Sequence, residues 1–283
     1  MRKVLSLIAV FSMMLGLLAA CAAPAAPAAP KAPEASKKIT VGVNSENPPW
    51  IFMKDGKMTG FEADLVEEFA KRSNMTIEYK SAPFATVLTG VQSGQWDIAM
   101  SSIWVKKERM EVMDFADPYY DAQIGLIFPK AKPIAKFEEM KGKVFGSDTG
   151  SANESWLKEA MPKYGPYEMK SYDYWIDAVK DMEAGRTAGV VVDAPIALEY
   201  IKNNPDSALD MLYIDDYHFA QSLAFKKGSP LLATFNKVEN EMKKDGSLKA
   251  IHVKWFGSEP PADSSVINVV APYLPNEKPA IKK

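Results

Sequence analysis

Apolar residues recur along this chain with two periods that take turns. Residues 38–43, KITVGV, alternate and are rich in β-branched side chains, which predicts a strand that the following Pro48-Pro49 pair brings to an end. Gly60-Phe61-Glu62 then opens a stretch in which Leu65, Val66, Phe69 and Ala70 share one helical face, with Glu62 and Asp64 at its positive end, so a helix is expected to about residue 73. A second strand over 77–80 follows. Residues 84–93 predict a helix with Val87, Leu88 and Val91 inward and Gly94 as its C-cap, and residues 98–102 an apolar strand ending in two hydroxyls. Strand and helix alternate, which predicts an α/β protein with mostly parallel pairing.

Residues 124–128 and 222–225 are further apolar strands, and the alternation starts again between them. Strands are expected at 144–147 and 190–192 and helices at 152–161 and 175–184, the latter closed by Gly185. A chain that leaves one sheet, builds another and returns has two lobes and two crossings. After the return, Leu231, Leu232, Phe235, Val238 and Met242 mark a long amphipathic helix, Gly246 stops it, and a final helix reaches Trp255-Phe256-Gly257. The expected division is therefore 38–127 plus 223–257 for the first lobe, 128–222 for the second, and a tail at 258–283. That tail holds several prolines and one apolar stretch at 266–270, and its pattern assigns it no element.

The residues before this body read as a targeting segment. Arg2 and Lys3 precede an apolar run over 4–18, too short for a good membrane span, and small residues lead to Cys21, so residues 1–20 are expected to be a signal peptide. Leu18-Ala19-Ala20-Cys21 is similar to the bacterial lipobox, which implies lipidation of Cys21 and anchoring to a membrane. The Ala/Pro repeat that follows, with residues 21–37 as a whole, is expected to be a partly extended tether of roughly 3 Å per residue.

Composition mainly excludes. Cys21 is the single cysteine, so disulfides, cysteine metal clusters and a buried thiol nucleophile drop out. The two histidines, His218 and His252, lie beside no carboxylate at metal-ligand spacing, so no metal and no cofactor are expected. Lys and Arg neither dominate nor cluster on one periodic face, and the net charge is -2, which argues against nucleic acid.

Three places carry candidate chemistry. In DIAMSSIWVKKERMEVMDFADPYY, Arg109 is expected in a loop just beyond a strand end, where a guanidinium can grip a carboxylate with two parallel hydrogen bonds. The bland alternative is a solvated charge run in which Arg109 pairs with Asp114 or Asp117. Asp148-Thr149-Gly150 spells the aspartic-protease triplet, but that chemistry needs a second copy, which is absent. Ser151 with Glu154 fits a capping box whose free amides attract anions. Asp193 follows Val190-Val191-Val192 and is expected at the end of a buried strand, available to an ammonium group. Its alternative role is N-cap of a helix over 194–202 with Pro195 early in it.

Five segments in order, VGVNSENPPWIFMKDGKMTGFEADL, GVQSGQWDIAMSSIWVKKERMEVMDFADPYY, GKVFGSDTGS, MEAGRTAGVVVDAP and DGSLKAIHVKWFG, resemble the family 3 solute-binding proteins, the polar amino-acid receptors of ABC importers. The resemblance implies a two-lobe periplasmic-binding-protein-like type II fold with mixed, mostly parallel sheets and two crossing strands. It implies that Arg109 clamps a ligand α-carboxylate, Ser102 holds ligand polar groups, Phe84 packs on the ligand, Gly150 and Ser151 supply turn amides, and Asp193 takes the α-ammonium. It also implies ABC permease subunits as partners, an extracytoplasmic place and a monomer. Departures fall at Trp104, where a small hydroxyl residue is usual, at Asn47, which replaces an aromatic, and at Ala152, which replaces a hydroxyl residue; Trp104 and Asn47 are nonetheless expected to be ligand-binding, Trp104 lining an apolar pocket with Phe84 or else packing in the core. Asn44 stands where receptors for cationic amino acids often carry an aspartate, which argues against a cationic ligand. Trp50 is expected in the core. Relatives resembling cyclohexadienyl dehydratases make an enzyme the competing expectation, and a chemoreceptor ligand sensor the third.

Overall fold

A computed structural model describes residues 36–277, apart from the side chains at 215–217. The signal peptide, Cys21, most of the tether and the last residues of the tail lie outside the described residues. The chain opens with β1 (Lys37–Val43), crosses a small antiparallel sheet of β2 (Glu46–Asn47), β3 (Ile51–Lys54) and β4 (Lys57–Thr59), and enters α1 (Phe61–Arg72). Then come β5 (Met75–Ser81), α2 (Phe84–Ser93), β6 (Ile98–Met100), α3 (Lys107–Val112) and β7 (Met113–Phe115). The second half runs β8 (Tyr120–Pro129), a 3-10 turn (Phe137–Met140), β9 (Val144–Asp148), α4 (Ala152–Tyr164), β10 (Glu168–Tyr172), α5 (Trp175–Glu183), β11 (Gly189–Asp193), α6 (Ala194–Asn203), a short 3-10 turn and β12 (Leu209–Gln221). The chain returns through β13 (Ala224–Lys226) and closes with α7 (Leu231–Asp245) and α8 (Ser247–Phe256).

The two lobes repeat one plan. In the first sheet the order is β5-β1-β6-β13-β7, with β5 and β6 parallel to β1 and with β13 antiparallel to both its neighbours. In the second it is β10-β9-β11-β8-β12, with β10 and β11 parallel to β9 and β8 antiparallel to β11 and β12. Each sheet is thus a parallel trio completed by antiparallel strands from the crossings, the two-lobe α/β arrangement expected from the alternation. The parallel strands are buried as their apolar runs require, and every residue of β6 and β11 is buried. Gly60 sits at φ 132 against the Trp50 carbonyl, where an added Cβ would lie 2.1 Å from that oxygen; only glycine starts α1 there. Trp50 is fully buried, edge-on to Phe61, in the core as expected.

Several elements differ from the sequence pattern. Residues 124–128 belong to the longer β8, which pairs with β11 and β12 in the second sheet from Tyr120 onward, so the chain passes between sheets at 116–119 and not at 127–128. The return strand β12 begins at Leu209, well before the apolar stretch at 222–225, and an irregularity between Ile214 and His218 interrupts its pairing with β8. The tail folds in part: Val266 and Val270 are fully buried, and Tyr273 nearly so. Asp121 of β8 is its anchor, accepting from Ser264 Oγ at 3.0 Å, from the Ser265 amide at 2.7 Å, and from the Ser265 and Tyr273 hydroxyls. Asn276 exchanges hydrogen bonds with the backbone of His218 in β12, at 2.9 and 3.2 Å, so the tail holds both crossing strands.

Candidate functional site

The ends of β6, β9 and β11 deliver the chemistry. Ser101 and Ser102 follow β6, Asp148 ends β9 and Asp193 ends β11, all at carboxyl ends, where open α/β sheets collect ligands. These residues line one interlobe cleft together with Asn44, Asn47, Phe84, Trp104, Arg109, Ser151, Ala152, Asn153 and Trp175. A cavity of about 770 Å³ lies elsewhere, behind the crossing strands, but no lysine or arginine is among its described lining residues. The cleft, though its cavity is only about 20 Å³, brings a guanidinium and carboxylates together from opposite lobes.

Arg109 is buried on α3, not in a loop, because the KKERME run is long enough to close one helical turn between Trp104 and β7. Its Nη1 donates to the Trp104 carbonyl at 2.9 Å and its Nη2 to the Gly150 carbonyl of the second lobe at 3.0 Å. The guanidinium lies 5.4 Å from the centre of the Phe84 ring, within cation–π range. Burial pulls its pKa down to about 10, against the opposing fields of Asp148 and Asp193, so it stays cationic at neutral pH. Asp114 instead pairs with Lys227 at 3.0 Å, and Asp117 accepts from Asn240 Nδ2 at 3.2 Å.

Asp193 is 2 % exposed. It starts α6 but caps it with no side-chain hydrogen bond, because its oxygens turn into the cleft. Oδ1 accepts from Asn153 Nδ2 at 3.1 Å and from Trp104 Nε1 at 3.1 Å, and Oδ2 accepts from Gln221 Nε2 at 2.8 Å. Burial raises its pKa to about 7, and the donors from Asn153 and Trp104 limit the rise. Trp104, the departure from the usual small residue, therefore reaches from the first lobe to the acid of the second while stacking on Phe219. Trp175 Nε1 also crosses between lobes, donating to the Glu46 carbonyl at 2.8 Å.

Ser102 holds φ 47, an uncommon left-handed value for a serine, and is pinned by two contacts. Asn47 Nδ2 donates to its Oγ at 3.0 Å, and its amide donates to Glu62 Oε1 at 2.9 Å. Ser151 caps α4, its Oγ accepting from the Glu154 amide at 2.9 Å, while Glu154 Oε2 accepts from the Gly150 amide at 3.1 Å. Only the Ser151 half of the capping box forms: Glu154 takes the Gly150 amide, one residue before the N-cap, and the Ser151 amide donates to the Asp148 carbonyl at 3.2 Å, so both turn amides that the resemblance assigns to a ligand carboxylate are engaged within the lobe. Gly150 itself stands at φ 74, which suits glycine.

Sequence reasoning missed four residues here. Glu62 reads as an ordinary first-turn acid, yet it is fully buried behind Ser102, accepts from the Tyr119 hydroxyl, and burial raises its carboxyl to about 7. Asp148 belongs to a triplet with no second copy and so carries no signal in the sequence, yet it lines the cleft and burial raises it to about 6. Asn153 and Gln221 serve Asp193, and no spacing announces either.

Two lobes with opposite charges facing each other across a cleft define a receptor for a small polar solute. The chain belongs to the bacterial extracellular solute-binding proteins, family 3, over residues 39–258. It is 31% identical over 231 residues to the putative amino-acid ABC transporter-binding protein PatH of Vibrio harveyi, covering 80% of this chain and 91% of that protein. Among solved structures, an ancestral arginine-binding protein bound to arginine superposes with a TM-score of 0.73 at 32% identity, over 79% of this chain and 100% of that one. The ancestral amino acid-binding protein AncCDT-1, a precursor of cyclohexadienyl dehydratase, gives a TM-score of 0.70 at 28% identity over 77% of this chain and 95% of that one.

Proposed function

We propose that this protein is the extracytoplasmic receptor of an ABC importer, capturing an amino acid or similar small zwitterion between its lobes and presenting the closed form to permease subunits. The observation that carries this is the meeting of Arg109 and Asp193, from different lobes, in one buried cleft. Arg109 takes the carboxylate and Asp193 the ammonium. Phe84 and Trp104 pack on the solute, Ser102 and Asn47 meet its polar groups, and Gly150 and Ser151 complete the carboxylate side when the solute displaces Glu154 and the Asp148 carbonyl from their amides. Each lobe alone satisfies one end of the solute, so ligand drives closure by differential affinity for the closed state. The protein works as a monomer, without a cofactor, and Cys21 carries the lipid that holds it at the membrane through the Ala/Pro tether.

A thermal-shift screen over the twenty amino acids, betaines and short carboxylates tests the reading, since a solute that binds only the folded state raises Tm. A hit whose calorimetric signal vanishes in Arg109→Ala, with the fold retained, supports it; a hit undisturbed by that change contradicts it. Replacing Cys21 with serine is expected to release the protein from the membrane fraction. A second reading rests on the carboxyls of Asp148 and Asp193, raised to about 6 and 7, because acid-catalysed elimination needs a cleft carboxylic acid that holds its proton. Aromatic product from prephenate or arogenate would establish that reading in place of the first.

A further inference from the structure

The cleft holds more acidic than basic groups. Arg109 is its single guanidinium or ammonium among the described lining residues, against the carboxylates of Asp148 and Asp193, and Glu62 lies one layer behind. A zwitterion with a neutral side chain adds one charge of each sign and leaves the imbalance in place. Burying an uncompensated charge is costly, so the imbalance selects among solutes.

The spare hydrogen-bonding capacity has the same sign. Asp148 Oδ1 is buried and has no hydrogen-bond partner, and the residue is 8 % exposed. Asn153 Oδ1 is likewise buried and unpartnered, and its orientation is fixed because its amide nitrogen must face the acceptor Asp193. Both atoms belong to residues lining the cleft, and both accept; among the described residues none of the buried donors without a partner lies there. A buried acceptor left unpaired is destabilising, and a donor on the solute removes that penalty.

On the strength of the proposed receptor function, we infer that Asp148 is the specificity-determining residue, receiving a second positive charge on the solute, so that the cleft selects amino acids with a cationic side chain. Asn44 points the other way only as a missing charge, and its side-chain oxygen is occupied by the Glu46 amide at 3.1 Å. Asp148 supplies from β9 the carboxylate that position 44 lacks.

The test is calorimetric titration with isosteric pairs, arginine against citrulline and lysine against 2-aminoheptanoic acid, on the wild type and on Asp148→Asn and Asp148→Ser. Two substitutions guard against one that fails to fold, and melting curves report which variants are intact. A charge-assisted hydrogen bond predicts that the cationic member of each pair binds about tenfold or more tightly in the wild type. The ratio is expected to shrink toward one in the intact variants. Equal affinity within pairs, tightest binding to a neutral or acidic amino acid, or an undiminished ratio in the variants overturns the inference and leaves the receptor function standing. Absence of binding by the twenty amino acids and the betaines and short carboxylates of the thermal-shift screen overturns both.

Discussion

Glu62 offers the sharpest test of how this cleft is supported. Its Oε1 accepts from the Ser102 amide and the Tyr119 hydroxyl, while Oε2 is buried without a partner. Burial raises its pKa from 4.5 to about 7, despite the lowering effect of those donors. A carboxyl whose pKa is higher folded than unfolded favours folding most below its unfolded value, and that contribution is lost as pH rises through 7. Two and a half pKa units correspond to about 3 kcal/mol lost by pH 8.5, roughly three quarters of it above pH 5. Glu62→Gln keeps the accepting oxygen and removes the ionisation, at the price of a buried amide that is unfavourable at every pH. The difference between wild type and variant, measured by urea denaturation, should therefore shift in favour of the variant by about 2 to 3 kcal/mol between pH 5 and pH 8.5. A difference that does not change with pH would show that Glu62 ionises freely, and the account of a dry support behind Ser102 would be wrong.

Other outcomes follow from the same geometry. A solute ammonium beside Asp193 lowers the carboxyl from about 7, so binding should release protons and strengthen as pH rises from 5 to 7.5; titrations in buffers of different ionisation enthalpy would detect it. Trp104→Phe removes the indole donor to Asp193 and should shift the lobes toward opening, read as a larger radius of gyration in solution scattering. Asp121→Ala strands the Ser264, Ser265 and Tyr273 donors that tie the tail to β8, and should lower stability by about 2 to 4 kcal/mol in denaturant titration.

The helices and parallel strands were legible because their apolar residues repeat at clear periods: α2 spans Phe84–Ser93 as the pattern predicts, and Gly94 and Gly246 end α2 and α7 in left-handed geometry. The small sheet β2 to β4 and the edge strand β10 were not, since short, partly exposed strands carry little alternation. Arg109 and Asp193 were legible as charges next to strand ends. Glu62 and Asp148 were not, because an acid at a helix start or in a turn looks the same whether water or core surrounds it, and burial is decided by residues distant in sequence. The tail escaped because its anchor, Asp121, lies more than a hundred residues away from the serines it binds.

The central claim is recognition of a solute at both charged ends by different lobes. It is tested most directly by titrating the tightest-binding amino acid beside its N-acetyl and carboxamide derivatives, each of which removes one charge. Loss of about a hundredfold or more in affinity with either derivative is the expected result. Retention of full affinity by either one would mean that Arg109 and Asp193 do not hold the two ends of the solute.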